Sequence, residues 1–307
     1  MNICDVPGIL VGQVVKESEN TGCTVVLCKN GAVAGVDIRG SAPGTRETVL
    51  LKPGYLIRKI HAVVLTGGSA FGLRAADGVM DYLREQNIGY NANGVIVPIV
   101  PAAVIFDLNS HRNPAYPSRD MGYEAARNAV KKLQEGRTGA GRGATVGKIL
   151  GMENCMAGGV GSCAAELPGG VRVGALAVVN ALGDVLQPGS DRILAGARLP
   201  DGSGFADSYQ VLKSGKIPGL QSNSNTTLVV AATDASFSKE EINKVARMAQ
   251  NGVARALRPA HTMYDGDIVF ALSTGDRPAD VNLVGETAAI LTSEAITRAV
   301  KIANGLQ

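Results

Sequence analysis

The sequence predicts an α/β sandwich with helices on its outer faces. Short apolar runs recur along the 307 residues, among them His61–Thr66, Val171–Asn180, Thr227–Ala232 and Ile268–Leu272. Their length and β-branched content mark them as buried strands. Between them lie stretches with helical periodicity, so strands and helices alternate. Glycine is the third observation: 39 residues, about 13% of the chain against roughly 7% in average usage, spread without a short period. Tight turns and closely packed backbone layers account for that excess.

The elements follow in order. Cys23–Cys28 and Ala32–Ile38 read as two strands, and Asn30-Gly31 between them is a two-residue hairpin signal. His61–Thr66 runs through Gly67-Gly68 into a helix from Ser69 to about Gln86, with Phe71, Ala75, Val79 and Leu83 on one face. Val95–Val100 is a further strand, and a helix follows over Arg119–Gln134, ending at Gly136. A glycine-rich stretch from Gly139 to Gly147 leads to Lys148. Val171–Asn180 is a long strand, turned by Asn180-Ala181-Leu182-Gly183 into Asp184-Val185-Leu186. Ser214 to Asn225 is polar and rich in breakers, the best linker candidate in the chain. Thr227–Ala232 is continuously apolar, as a central strand covered on both faces must be. Ser238-Lys239-Glu240-Glu241 is a capping box opening a helix to about Ala256. Ile268–Leu272 is another buried strand, and a helix with Ala288, Leu291, Ala295 and Ala299 on one face closes the chain. No repeat divides it, and a single domain over 1–307 is expected.

Composition excludes several classes. Thirty basic and 27 acidic residues leave a net charge of +3, so neither nucleic acid nor an anionic membrane is an expected partner. Aromatics reach only 4% and tryptophan is absent, so the core is aliphatic. Five cysteines, an odd number without ligand spacing, read as free thiols of a reducing compartment. His61, His111 and His261 show no ligand spacing either, and no metal or cofactor is expected. No secretion signal opens the chain and no apolar run approaches the ~18 residues that span a bilayer, so a cytoplasmic protein is expected.

Four features carry chemistry. Asn225-Thr226-Thr227 delivers a threonine from the polar linker to the first position of a buried strand. A threonine hydroxyl needs an adjacent base, and a free α-amine on the same residue, with an ordinary pKa near ~7.7–8.0, can supply it. Cutting before Thr226 would create that amine. Asp265-Gly266-Asp267 precedes the strand Ile268–Leu272, and residues two apart in extended chain point to one side, so both carboxylates converge at its mouth. Lys148 offers a cation that favours a deprotonated nucleophile. A phosphate-loop reading fails, because Arg142 replaces a required glycine and Ile149 a required hydroxyl residue. Asn180 offers an amide for an oxyanion hole. Unaided, each feature also fits a plain loop, turn or surface residue. Gly67-Gly68-Ser69-Ala70-Phe71-Gly72 lacks the second glycine of a serine-hydrolase elbow, where Phe71 stands. Close strand–helix packing, with backbone N–H groups of Gly68 and Ser69 available to a substrate pocket, is its expected use.

Together these motifs resemble the P1 (S58-type) peptidase family of L-aminopeptidase/D-amidases, β-peptidyl aminopeptidases and nylon-oligomer hydrolases. The likeness runs through Thr21–Val25, Leu65–Leu73, Ala103–Leu108, Gly147-Lys148, Asn180, Asn225–Thr227 and Asp265–Asp267. It implies a four-layer αββα sandwich resembling N-terminal nucleophile hydrolases. It implies autocleavage at Asn225–Thr226 into fragments 1–225 and 226–307, and oligomers of such heterodimers, commonly tetramers. It implies a small peptide or amide substrate, with Thr226, Asp265, Asp267, Lys148 and Asn180 as catalytic residues. Threonine with Asp-x-Asp, rather than serine with Ser-x-Glu, is closest to the nylon-oligomer hydrolase branch. Phe106, in the substrate pocket, stands where many relatives carry tyrosine, and losing such a donor can cost about 10²–10³ in rate. Two other readings stay open: an ornithine-acetyltransferase-like acyltransferase, and a non-catalytic binding protein that retains the fold.

Overall fold

The computed structural model describes residues 1–108, 115–215 and 225–307. Nine strands form the main sheet system: β1 (Leu10–Lys16), β2 (Thr21–Ile38), β3 (Thr45–Arg46), β4 (Lys59–Thr66), β5 (Ala102–Val104), β6 (Gly159–Glu166), β7 (Arg172–Asn180), β8 (Thr226–Ala235) and β9 (Ile268–Arg277). The helices are α1 (Ser69–Gly72), α2 (Ala75–Glu85), α3 (Arg119–Arg127), α4 (Ser208–Lys213), α5 (Lys239–Ala256) and α6 (Val281–Asn304). The hydrogen-bonded order is β6-β7-β8-β9-β2-β4-β5-β3, with β1 also on β2.

Side-chain alternation divides these strands into two stacked layers. In β8, Val229 and Ala231 face α5 and α6, where they meet Val245, Ala249, Ala288 and Ala295. Leu228, Val230 and Ala232 face the other way, onto Val26, Val63 and Leu65 of β2 and β4. The far side of that second layer, Cys23, Val25, Leu27 and Val64, packs on Val79, Leu83, Ala125 and Ala126 of α2 and α3. Three apolar interiors between four layers make the expected αββα sandwich. Every residue of β8 is buried, as its unbroken apolar run requires.

The Asn30-Gly31 hairpin does not form. Thr21–Ile38 is one strand, and Asn30-Gly31 lies in a bulge where the register against β4 shifts between Leu27 and Ala32. The first half of β2 pairs with β1, and the second pairs with β9 from Val33 to Ile38. Burying Ala32, Ala34 and Val36 against β8 and β9 is a tertiary gain that a local turn signal cannot match.

Other boundaries also yielded to tertiary contacts. The helix expected over Ser69–Gln86 breaks between α1 and α2. The helix expected to Gln134 stops at Arg127, and Val130 instead exchanges two 3.0 Å backbone hydrogen bonds with Val11 on β1. Asp184–Leu186 does not fold back on β7; it joins Ile193–Ala195 and Leu257–Arg258 in a separate three-stranded sheet. Of Val95–Val100, only Val95–Val97 is a strand, paired with Tyr90–Ala92. The capping box at Ser238 is present as expected, with Glu241 N–H donating to Ser238 Oγ and Ser238 N–H to Glu241. Most of the linker candidate, 216–224, and His111 lie outside the described residues.

Glycine pays for close contact between helices. A methyl group at Gly78 of α2 would strike the Arg119 carbonyl of α3, and one at Gly122 of α3 would strike the Ala75 carbonyl of α2. Among the described residues, no helix is long and apolar enough to cross a membrane.

Candidate active site

The sheet register brings the sequence-predicted residues together. β8 and β9 are parallel neighbours, so both begin at the same end of the sheet. Asn225, just before β8, forms an isolated parallel bridge with Asp265, just before β9. On the other side β7 is antiparallel to β8, which places its last residue, Asn180, directly opposite Thr226. Thr226, Asn180, Asp265, Asp267 and Lys148 are all buried, with Thr226 only 6% exposed.

Thr226 Oγ1 donates to the carbonyl oxygen of Asn225 at 2.5 Å. The same oxygen accepts the backbone N–H of Gly266 at 2.8 Å. A side chain at 266 would run into Thr226 Oγ1, which explains glycine between the two aspartates. Asp267 Oδ1 accepts the N–H of Thr227 at 2.7 Å. Its Oδ2 accepts both the N–H and, at 2.9 Å, Nδ1 of His261. Asp265 Oδ2 accepts the N–H and Oγ1 of Thr262 at 2.8 and 2.6 Å. Burial, then the Asp267 charge, pushes the Asp265 carboxyl up to about 6, against the pull of the Thr262 donors.

Lys148 arrives on the glycine-rich loop. That loop lies along the end of β7: Gly147 N–H donates to the Gly183 carbonyl, Lys148 N–H to the Leu182 carbonyl, and Thr145 N–H to Asn180 Oδ1. Gly147, at φ 72°, passes so close to the backbone of Gly196 and Ala197 that no side chain fits. Lys148 Nζ donates to the carbonyl and to Oδ1 of Asn180, both at 2.9 Å. Burial pulls the ammonium down to about 7, overriding the charges of Cys155, Asp265, Asp107 and Asp267, which favour the protonated form. A neutral amine still has hydrogens for both oxygens, so the geometry suits either state.

The substrate-pocket candidates stand differently. The N–H groups of Gly68 and Ser69 are both spent inside the protein, on Asp107 Oδ1 at 2.6 Å and on the Ile105 carbonyl at 2.9 Å. They therefore do not face a ligand, and their left-handed backbone serves the strand–helix turn. Phe106 meets Asn180 through its carbonyl, which accepts Asn180 Nδ2 at 3.2 Å.

Three contributors were not singled out as site residues from sequence. Asp107 accepts Thr21 Oγ1 and Gly68 N–H, feels the charge of Lys148, and is raised by burial. A lone carboxylate closing an apolar strand was the available signal. His261 and Thr262 hold the two aspartates from a few residues upstream, with no signal beyond that proximity. Among the described residues, no cluster of side chains could hold a metal ion.

The same arrangement of layers is found in solved structures. The L-aminopeptidase D-Ala-esterase/amidase of Ochrobactrum anthropi, described as a variant of the Ntn hydrolase fold, matches 98% of this chain and 86% of its own at a TM-score of 0.73 and 20% identity. A β-aminopeptidase of a Burkholderia species matches 97% and 85% at a TM-score of 0.68 and 22% identity. The molecule thus has the αββα fold of the N-terminal nucleophile hydrolases. The model of peptidase family S58 matches residues 1–307, and the chain belongs to that family. An uncharacterized aminopeptidase of Mycobacterium tuberculosis is 42% identical over 289 residues, covering 89% of this chain and 81% of the relative. A 6-aminohexanoate-oligomer endohydrolase of Kocuria sp. is 31% identical over 275 residues, covering 89% and 74%.

Proposed function

We propose that this S58-family hydrolase cuts itself between Asn225 and Thr226 and then works as an N-terminal-threonine amide hydrolase. The observation that carries the reading is the shared oxygen: the Asn225 carbonyl accepts both Thr226 Oγ1 at 2.5 Å and Gly266 N–H at 2.8 Å. The hydroxyl oxygen is thereby held beside the carbonyl carbon it would attack. The Gly266 donor stands where negative charge would develop on that oxygen.

In the first step Oγ1 bonds to the Asn225 carbonyl carbon, the carbon–nitrogen bond to Thr226 breaks, and the hydroxyl proton passes to the departing amine. Water then hydrolyses the resulting ester, leaving an Asn225 carboxylate and a free Thr226 α-amine. In the mature enzyme that amine takes the proton from Oγ1 as the hydroxyl attacks a substrate amide. The substrate's amine leaves with a proton, and water releases the acyl group. Asp267, on Thr227 N–H, and Asp265 hold the strand start, and Lys148 tunes the charge around it. Asn180 Nδ2, once turned from the Phe106 carbonyl, is the side-chain donor for the substrate oxyanion.

Burial of Thr226 supports an inactive uncut chain, since the hydroxyl is closed to solvent before cleavage. The names of the relatives support small amino-terminal amides, β-peptides or 6-aminohexanoate oligomers as substrates, and the mature form is proposed to assemble as oligomers of cleaved heterodimers. Denaturing mass spectrometry of the wild type should show fragments 1–225 and 226–307, and Thr226→Ala should give one intact chain without amidase activity. An intact wild-type chain with full activity, or an active Thr226→Ala, refutes the reading. Acetyl transfer from acetylornithine to glutamate, assayed alongside, distinguishes the acyltransferase alternative.

A further inference from the structure

The proposed chemistry makes no use of the contact between His261 and the buried Asp267. His261 sits at φ 56°, in the left-handed region. That backbone lets two donors of one residue converge on one oxygen: its N–H and its ring Nδ1 reach Asp267 Oδ2 at 3.1 and 2.9 Å. The carboxylate is then held at both ends, because Oδ1 receives Thr227 N–H at 2.7 Å. The Asp267 side chain is 1% exposed and the His261 side chain 17% exposed, so water does not compete for these bonds as it would at the surface. An ionised carboxylate only accepts hydrogen bonds, which places a proton on His261 Nδ1. His261 Nε2 is buried and has no hydrogen bond among the described residues, so the polar contact of the ring is the one through Nδ1.

We propose that His261 is a positioning residue of the hydrolase site: it fixes the plane of Asp267, and through Thr227 N–H it holds Thr226 in register for cleavage and turnover. The inference rests on the N-terminal-threonine reading. Without the ring, Asp267 Oδ2 loses its shorter donor and keeps only the 3.1 Å backbone one, so the carboxylate is held less tightly in its plane. Misplacing a reacting group by about 1 Å can cost on the order of 10² in rate.

Asparagine and glycine both accept a left-handed backbone, so they separate the ring contact from backbone strain. His261→Asn keeps an N–H donor at the δ position, and His261→Gly keeps only the backbone N–H. Full-length wild type, Thr226→Ala, His261→Asn and His261→Gly are followed for self-cleavage by denaturing mass spectrometry, and for kcat and KM on an amino-acid amide. His261→Gly should cleave itself and turn over about 10- to 100-fold more slowly with KM within about twofold of wild type, and His261→Asn should recover most of the loss. Equal kcat for His261→Gly and wild type overturns the inference, as does an Asn variant no better than the Gly variant. If the Gly variant does not fold, His261→Asp replaces it. It fits the same backbone but repels Asp267, so an Asp variant equal to the Asn variant overturns the proposal. An active Thr226→Ala refutes the functional reading itself. An inert Thr226→Ala beside an unimpaired His261→Gly refutes the role of His261 alone.

Discussion

Asn180 stands directly across the β7–β8 ladder from Thr226, and its carbonyl and side-chain oxygens both hold Lys148 Nζ at 2.9 Å. Lys148, 32 residues before Asn180 in the chain, is thus tied to the residue that faces the start of β8. The same ladder end carries the acidic pair on the other flank of β8, so cation, amide and carboxylates surround one threonine. On the proposed reading, loss of any of them should misplace that threonine or change the charge around it.

Gly266→Ala should slow self-cleavage without unfolding the chain. The added methyl would lie 2.7 Å from both Thr226 Oγ1 and the Ala42 carbonyl. The Ala42 N–H is itself bonded to the Asp265 carbonyl, so that backbone has little room to retreat. A loss of about 10²-fold in cleavage rate is expected from displacing the hydroxyl, read as the decay of the intact chain with time. A rate equal to wild type would contradict the placement of Thr226 against Gly266.

Asp265 and Lys148 give opposite pH signatures. Asp265 titrates near 6 in the folded chain and near 3.8 when exposed. Across that window the folded state holds the extra proton, so its contribution to stability falls as pH rises. Lys148 titrates near 7 when folded and near 10.5 when exposed. There the unfolded state holds the extra proton, and the contribution rises with pH, by at most about 1.4 kcal/mol per pH unit. Urea unfolding of the uncut Thr226→Ala chain checks both. Adding Asp265→Asn should remove a fall between about pH 4 and 6, and adding Lys148→Met a rise between about pH 7 and 10. Stability curves parallel to the parent would show that neither burial perturbs its group.

Gly78→Ala tests the glycine excess rather than the chemistry. The methyl would meet the Arg119 carbonyl and the Tyr123 N–H of α3, so α2 and α3 must part. Overpacking of this kind costs about 1–3 kcal/mol. At roughly 2–4 °C per kcal/mol for a chain of this size, thermal unfolding should drop by several degrees. Fully folded samples at low temperature should keep wild-type kcat, since these helices form the layer away from β8.

The sequence by itself determined which segments are buried and which residue types hold chemistry. Thr227–Ala232 and Ile268–Leu272 could only be covered strands, because an unbroken apolar run has no face to offer water. The capping box at Ser238 fixed a helix start by purely local hydrogen bonds. Tertiary structure decided what pairs with what. Asn30-Gly31 is a hairpin by local rules, yet a continuous, bulged β2 buries both halves and joins the two layers. Asn180 carries a turn signal, yet its use depends on β8 lying alongside. His261 and Thr262 carry no pattern at all, and only the fold aims them at Asp267 and Asp265. Local propensity is written within a few residues, whereas strand partners and buried hydrogen bonds are chosen by energies summed over contacts far apart in the chain.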